Sequence, residues 1–415
     1  MSMRAGWGTD SNLEPDVESK MRRSIDTLLV CGLLVLPALP AAAQSPPNPA
    51  MTAPDQVAWQ LFIQANTRAG GSNSTFETWA SDTDLFQPNP QFPAAATPLA
   101  LRPPILPQVA REGVQESGGL LPALPPGAAQ GQMEETRHNK PTFDFIVQNN
   151  LHKRSGVKAA FGKALSFPVD SIEVKGNWLP VSEIPNFTNN KVTVAQVPQL
   201  YHVNSAAGVQ YALVSMHVIS KQVPNWTWAT FEHRFNPSRC DIIGCRDNFG
   251  AQTAFVPSNR TAGQGYPDCV KTAALTAMLS SADIDPVYSN YCLKGSQADF
   301  VDSVGLDIRV GNSVTEDGFV ATSSCITCHG RAAFKADGTP SSQAGFLSFG
   351  PNGPIAPLGP LLPEWYWKFS GQPPIFEGKP GLTRVATSAD FVWSIPFCAY
   401  DDTQNPVQPT PCGGK

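Results

Sequence analysis

Hydrophobic residues along this chain follow two periods, and the change between them divides it. After a Pro-rich lead at 44–54, Ala58, Leu61, Phe62 and Ala65 recur at helical spacing from Asp55, with Trp59 beside them. Phe143, Ile146, Val147 and Leu151 repeat that spacing. Between them, 86–130 is dense in Pro, Ala, Gly and Leu, which predicts an irregular wrapping segment because proline removes a backbone donor. The period then falls to two. Ile172, Val174 and Trp178 alternate with Glu173, Lys175 and Asn177, as a half-buried strand would. Val192, Val194 and Val197 predict another strand, and residues 209–219, apolar on both faces, predict a central one. Residues 225–235 (NWTWATFEHRF) place aromatic and β-branched side chains at period two. Four successive strands imply an antiparallel sheet. Residues 268–282 return to helical spacing, and 350–381 is Pro/Gly-rich around Trp365, Tyr366 and Trp367. The expected class is α+β and β-rich: an antiparallel sheet core with peripheral helices and Pro/Gly-rich loops.

The first 43 residues read as targeting sequence. Met21, Arg22 and Arg23 form a basic start, 28–39 is an apolar run, and Ala41, Ala42 and Ala43 before Gln44 form a small-residue cleavage site. Residues 1–20 are polar, so either Met21 is the initiator or the basic region is long. The expected organisation is 1–43 signal peptide with an N-terminal extension, 44–130 helix plus Pro-rich segment, and 131–415 β-rich domain, with 44–415 also readable as one domain. No later apolar run is long enough to span a bilayer, so no stable membrane insertion is expected after cleavage.

The chemistry concentrates at Cys325, Ile326, Thr327, Cys328 and His329, which spell C-x-x-C-H. Two thiols one helical turn apart can each add across a vinyl group of one porphyrin, and the adjoining imidazole is then held beneath the iron as axial ligand. A bare C-x-x-C also serves redox dithiols and half zinc sites. Neither needs a His after the second Cys, and no second Cys pair at zinc spacing stands nearby. The expectation is one covalent haem c on a short helix in the C-terminal part, with Ser323 or Ser324 as its cap. Covalent attachment after translocation places the protein in the periplasm.

Cysteine usage agrees with export. Of nine Cys, Cys31 falls in the signal and two in the motif, leaving Cys240, Cys245, Cys269, Cys292, Cys398 and Cys412. Nearest-neighbour closure pairs 240 with 245, 269 with 292 and 398 with 412, since short loops close at low entropic cost. The formal charge of −5 is mild, and no Lys/Arg cluster points to nucleic acid.

Several segments resemble a group of exported bacterial proteins of the cytochrome c family with a single late C-x-x-C-H motif. They are AWQLFIQAN with FETWAS, FDFIVQNNL, SIEVKGNWLP, SMHVISKQVPNWTWATFEH, SSCITCHG and FVWSIPF, spread over most of the chain after residue 43. The resemblance carries no activity with it. It implies that SMHV and TFEH belong to one module with the motif, which brings His217 and His233 forward.

The sixth iron position is the open question. Neither Met nor His occurs after His329, so a strong protein ligand must come from upstream. Strand parity sets His217 with Tyr211, Leu213 and Ile219 and turns Met216 the other way, while His233 shares a face with Phe231 and Phe235, opposite Glu232. His217 is the first candidate and His233 the second, against the common case of an imidazole satisfied in a core. Arg331 and Lys335 are candidates to pair with haem propionates. The functional expectation is a periplasmic monohaem c-type redox protein passing electrons through covalent haem, to a redox partner protein or small-molecule substrate. The alternative is a haem c-dependent oxidoreductase of oxidase or peroxidase type with an exchangeable sixth position.

Overall fold

The computed structural model describes residues 47–104, 131–258, 268–317, 319–341, 348–350, 353–369 and 381–404, together with Cys412. The expected signal peptide and residues 105–130 of the Pro-rich segment lie outside them. Four helices matter here: α1 (Pro54–Asn66), α2 (Lys140–Gln148), α3 (Ala273–Ser281) and α4 (Cys325–Gly330). The strands of the main sheet are β1 (Ala80–Ser81), β2 (Met133–His138), β3 (Ile172–Pro180), β4 (Val203–Ala206), β5 (Val209–Ser220), β6 (Thr227–His233) and β7 (Tyr291–Gln297). The sheet runs β1-β2-β3-β5-β6-β7 with β4 also on β5, and every pairing in it is antiparallel. The protein is thus α+β with an antiparallel sheet core. Among the described residues no helix is long and apolar enough to cross a membrane.

The helical spacing from Asp55 is realised as α1, whose apolar side chains pack on one face of the sheet. Phe62 stacks on Phe231 with ring centroids 4.3 Å apart, Trp59 meets the same ring edge-on at 4.9 Å, and Met216, Val218 and Tyr291 complete that core. The central strand is β5, as expected, flanked by β3 and β6, although Ser215 and His217 make one of its faces polar rather than apolar. Four sheet members, β1, β2, β4 and β7, were not foreseen.

Two strand expectations are corrected. Val194–Gln196 and Val197–Leu200 are helical turns. Thr193 caps the first through Gln196, and Pro198 then opens the second, so local capping overrides β-branched composition. Within β5, Ser215 lies opposite Asn177 but Leu213 lies opposite Trp178, which makes Val214 a bulge residue. Leu213 therefore joins Met216 and Val218 beneath α1, and the parity that placed it with His217 fails at the bulge.

All three expected disulfides are present: Cys240–Cys245, Cys269–Cys292 and Cys398–Cys412. Truncation of the fully buried Phe62 removes the ring against which Trp59, Phe231 and Tyr288 pack. Phe62→Ala is expected to cost about 3–5 kcal/mol in urea unfolding; a loss under about 1 kcal/mol would mean that α1 does not hold the sheet.

Candidate functional site

Period-two alternation gives the sheet a second face, and that face is not in solvent. Register aligns three cross-strand rows over β2, β3, β5 and β6: Glu134, Asn177, Ser215 and Glu232; Thr136, Lys175, His217 and Thr230; His138, Glu173, Ile219 and Trp228. Only Ile219 and Trp228 in this grid are apolar. The C-terminal segment carrying α4 roofs it, and between floor and roof lies a cavity of about 1020 Å³, its open mouth included. Lys175, Glu173, His217, Ile219 and Trp228 line it from the floor, Phe319, Cys325, Cys328, His329, Trp393 and Phe397 from the roof, and Arg102, Glu134 and Thr136 from one edge.

Helix α4 is fixed from several directions. The Ile326 N–H donates to Gln297 Oε1 (3.2 Å), Thr327 Oγ1 to the Gly359 carbonyl (2.7 Å) and Trp393 Nε1 to the Cys328 carbonyl (3.2 Å). Ser324 is the N-cap residue, as expected, but its side chain does not cap; it contacts Gln297 and Thr327 instead. Cys325 and Cys328 are the unpaired cysteines among the described residues, and burial keeps their thiols neutral, pushing Cys328 up to about 12.

The two histidines of the cavity are held in opposite tautomers. His329 Nδ1 lies 2.9 Å from the Phe391 carbonyl, which only accepts, so Nδ1 carries the hydrogen and Nε2 the lone pair. Its ring lies 4.6 Å from Trp228, and burial lowers its pKa to about 4. His217 Nε2 lies 3.1 Å from Thr315 Oγ1, whose own hydrogen goes to Asn177 Oδ1 at 2.6 Å. Nε2 is therefore the donor on His217, and Nδ1 has the lone pair. Burial holds His217 well below its usual pKa, and Glu316, 3.6 Å from it, is pushed up to about 7 by burial.

His233, the second candidate, lies outside the cavity. Its Nε2 donates to the Leu200 carbonyl, its Nδ1 accepts from the Phe235 N–H, and its ring stacks on Tyr201 at 3.5 Å. Glu232 is fully buried and ties down the 312–316 loop through Ser313, with Lys294 at 3.3 Å. Arg331 stacks on Trp365 and Lys335 pairs with Asp337; neither lines the cavity. Sequence reasoning missed Arg102, Thr315 and Glu316, and it read Glu173, Lys175 and Asn177 as a solvent face. Polar residues at matching period in four strands were the available signal.

No family model, curated protein or solved structure matches the chain. The chemistry must be argued from the residues themselves: two neutral thiols and one neutral imidazole with a free Nε2 lone pair can hold a metal-centred planar group by two thioether bonds and one coordinate bond.

One edge of the site is an ion network. His138 is fully buried between Asp82 (2.8 Å) and Glu173 (3.0 Å), while Arg102 reaches Asp82 and Glu134, and Lys175 reaches Glu134. Burial opposes the charge on His138, but Glu173 and Asp82 outweigh it and raise its pKa to about 9. The folded value exceeds the unfolded one, so the stabilisation is complete below about pH 6.5 and is lost as pH rises through about 9. In urea unfolding, wild-type stability should fall between pH 6.5 and 9.5 by an amount of order 3 kcal/mol that is absent in His138→Gln. Parallel curves for the two proteins would exclude a charged His138.

Proposed function

We propose that the protein is an exported monohaem c-type redox protein that transfers electrons in the periplasm, with one haem c on Cys325 and Cys328 and His329 as axial ligand. One observation carries this reading: disulfides use six of the described cysteines and leave free the two thiols beside an imidazole whose Nδ1–H is committed to the Phe391 carbonyl. Metal-binding histidines are commonly fixed through their other nitrogen in this way. The surroundings fit a porphyrin as well. Trp228, Phe319, Trp393 and Phe397 supply flat or apolar walls. Haem supplies a one-electron couple whose potential follows its axial ligands and burial.

The chain's own residues have separable roles in this reading. Gln297, Gly359 and Trp393 hold α4 in place; the aromatic walls exclude water; His329 binds through Nε2. His217, which lines the cavity from the facing strand, would be the residue to supply a second nitrogen ligand, through the Nδ1 lone pair. Without a Met ligand, the potential should lie below that of His/Met cytochromes. Three disulfides support an oxidising compartment. A second reading, an oxidoreductase with an exchangeable sixth position, is favoured by Thr315 and Glu316 beside His217 in the same cavity.

Expression with export and haem-ligation machinery should give one covalent haem per chain, and Cys325→Ala with Cys328→Ala should release it to acid-acetone extraction. Haem retained in that double variant refutes the attachment site. The ferric protein should be low-spin, with His217→Ala converting it to high-spin and opening it to carbon monoxide while His233→Ala leaves coordination unchanged. A wild type that is already high-spin and binds carbon monoxide rapidly would move the oxidoreductase reading ahead.

A further inference from the structure

We infer that Arg102 and Lys175 form a carboxylate-binding subsite at one end of the cavity, and that it takes the haem propionates; the second clause rests on the haem reading above. Both residues line the cavity, and both reach Glu134, Arg102 at 3.3 Å and Lys175 at 2.8 Å. The order of burial decides the sign of the surface. Side chains of Glu134 and Asp82 are 1% and 3% exposed, whereas those of Arg102 and Lys175 are 14% and 23% exposed. Glu134 and Glu173 also line the cavity, but Glu134 is paired with Arg102 and Lys175 and Glu173 with His138, and the cations are the more exposed side chains, so an entering group meets positive charge.

Donor capacity is also left over. Arg102 uses Nη1 towards Asp82 and Nη2 towards Glu134 and Thr136, but its buried Nε has no hydrogen-bond partner among the described residues. A buried donor without an acceptor costs free energy that an incoming carboxylate would recover.

Position gives the subsite its occupant. The thiols of α4 stand beside His329, which contacts Trp228 on β6, whereas Lys175 is on β3 and Arg102 bridges to β2. Those are two and three strand steps away, roughly 10–14 Å. Thioether bonds form at the vinyl-bearing edge of a porphyrin, and its propionates leave from the opposite edge. A haem held by Cys325 and Cys328 therefore directs its carboxylates across the sheet towards Arg102 and Lys175. The same carboxylate chemistry would also suit a free dicarboxylate.

The test has two arms. Full-length protein carrying Cys325→Ala and Cys328→Ala is titrated with haemin and with haemin dimethyl ester, whose propionates are blocked, and followed at the Soret band. Haemin should bind roughly tenfold more tightly than the ester, and R102Q with K175Q should abolish the difference; equal binding without those substitutions overturns the propionate assignment. Should the thiol-free variant fail to fold or bind, covalently loaded protein decides: R102Q and K175Q should shift the propionate bending bands in resonance Raman spectra while K335Q does not. Bands unmoved by R102Q and K175Q overturn it equally. If the wild type carries no covalent haem, the haem reading fails by itself, and titration with succinate then judges the subsite. Binding lost in R102Q and K175Q supports a carboxylate site for a free dicarboxylate, and no binding removes it.

Discussion

Burial of the polar face of an antiparallel sheet is the constraint around which this molecule is arranged. Glu134, His138, Glu173, Asn177, Ser215, Thr230 and Glu232 are buried on that face, with Thr136, Lys175 and His217 half-buried among them. An ionised group withdrawn from water costs several kcal/mol unless it is paired and hydrogen-bonded. Nearly every feature near the cavity answers that cost. Glu232 is met by Lys294 and Ser313, Glu134 by Arg102 and Lys175, and His138 is clamped by two carboxylates. The charges at the network's edge also balance, with Asp82, Glu134 and Glu173 against Arg102, Lys175 and protonated His138.

The opposite face has the simpler task of burying area. Helix α1 covers it with Trp59, Leu61 and Phe62, and the aromatic cluster with Phe231, Tyr288 and Tyr291 contributes directional packing beyond area alone. One sheet thus separates a dry structural core from a polar chamber. The roof of that chamber is a short helix, too short to be stable alone. It is held by groups from widely separated parts of the chain: Gln297 from β7, Gly359 and Trp393 beyond the motif, and Phe391 on the imidazole. Such a helix can place two thiols and an imidazole only after the sheet has formed beneath it.

Much of this was legible from local pattern. The helical spacing of Ala58, Leu61, Phe62 and Ala65 fixes α1, alternation around Ile172 and 225–235 marks β3 and β6, and a largely apolar stretch marks the central strand. Cysteine spacing yields the disulfide pairing, because short loops close first, and it singles out the two thiols left over. These features depend on neighbours within a few residues or on counting. Sequence alone could therefore determine them.

Other features required the tertiary structure. A bulge at Val214 reverses parity for everything before it, and nothing in the apolar run of β5 announces it. Capping by Thr193 and Gln196 turns a valine-rich stretch into helical turns. Alternation says that Glu173, Lys175 and Asn177 share a face, but it cannot say whether water or a roof more than a hundred residues away covers that face. Nor could spacing separate His217, in the cavity, from His233, whose two nitrogens are consumed by backbone groups. Period assigns a side chain to a face; only long-range packing decides what lies on the other side of it.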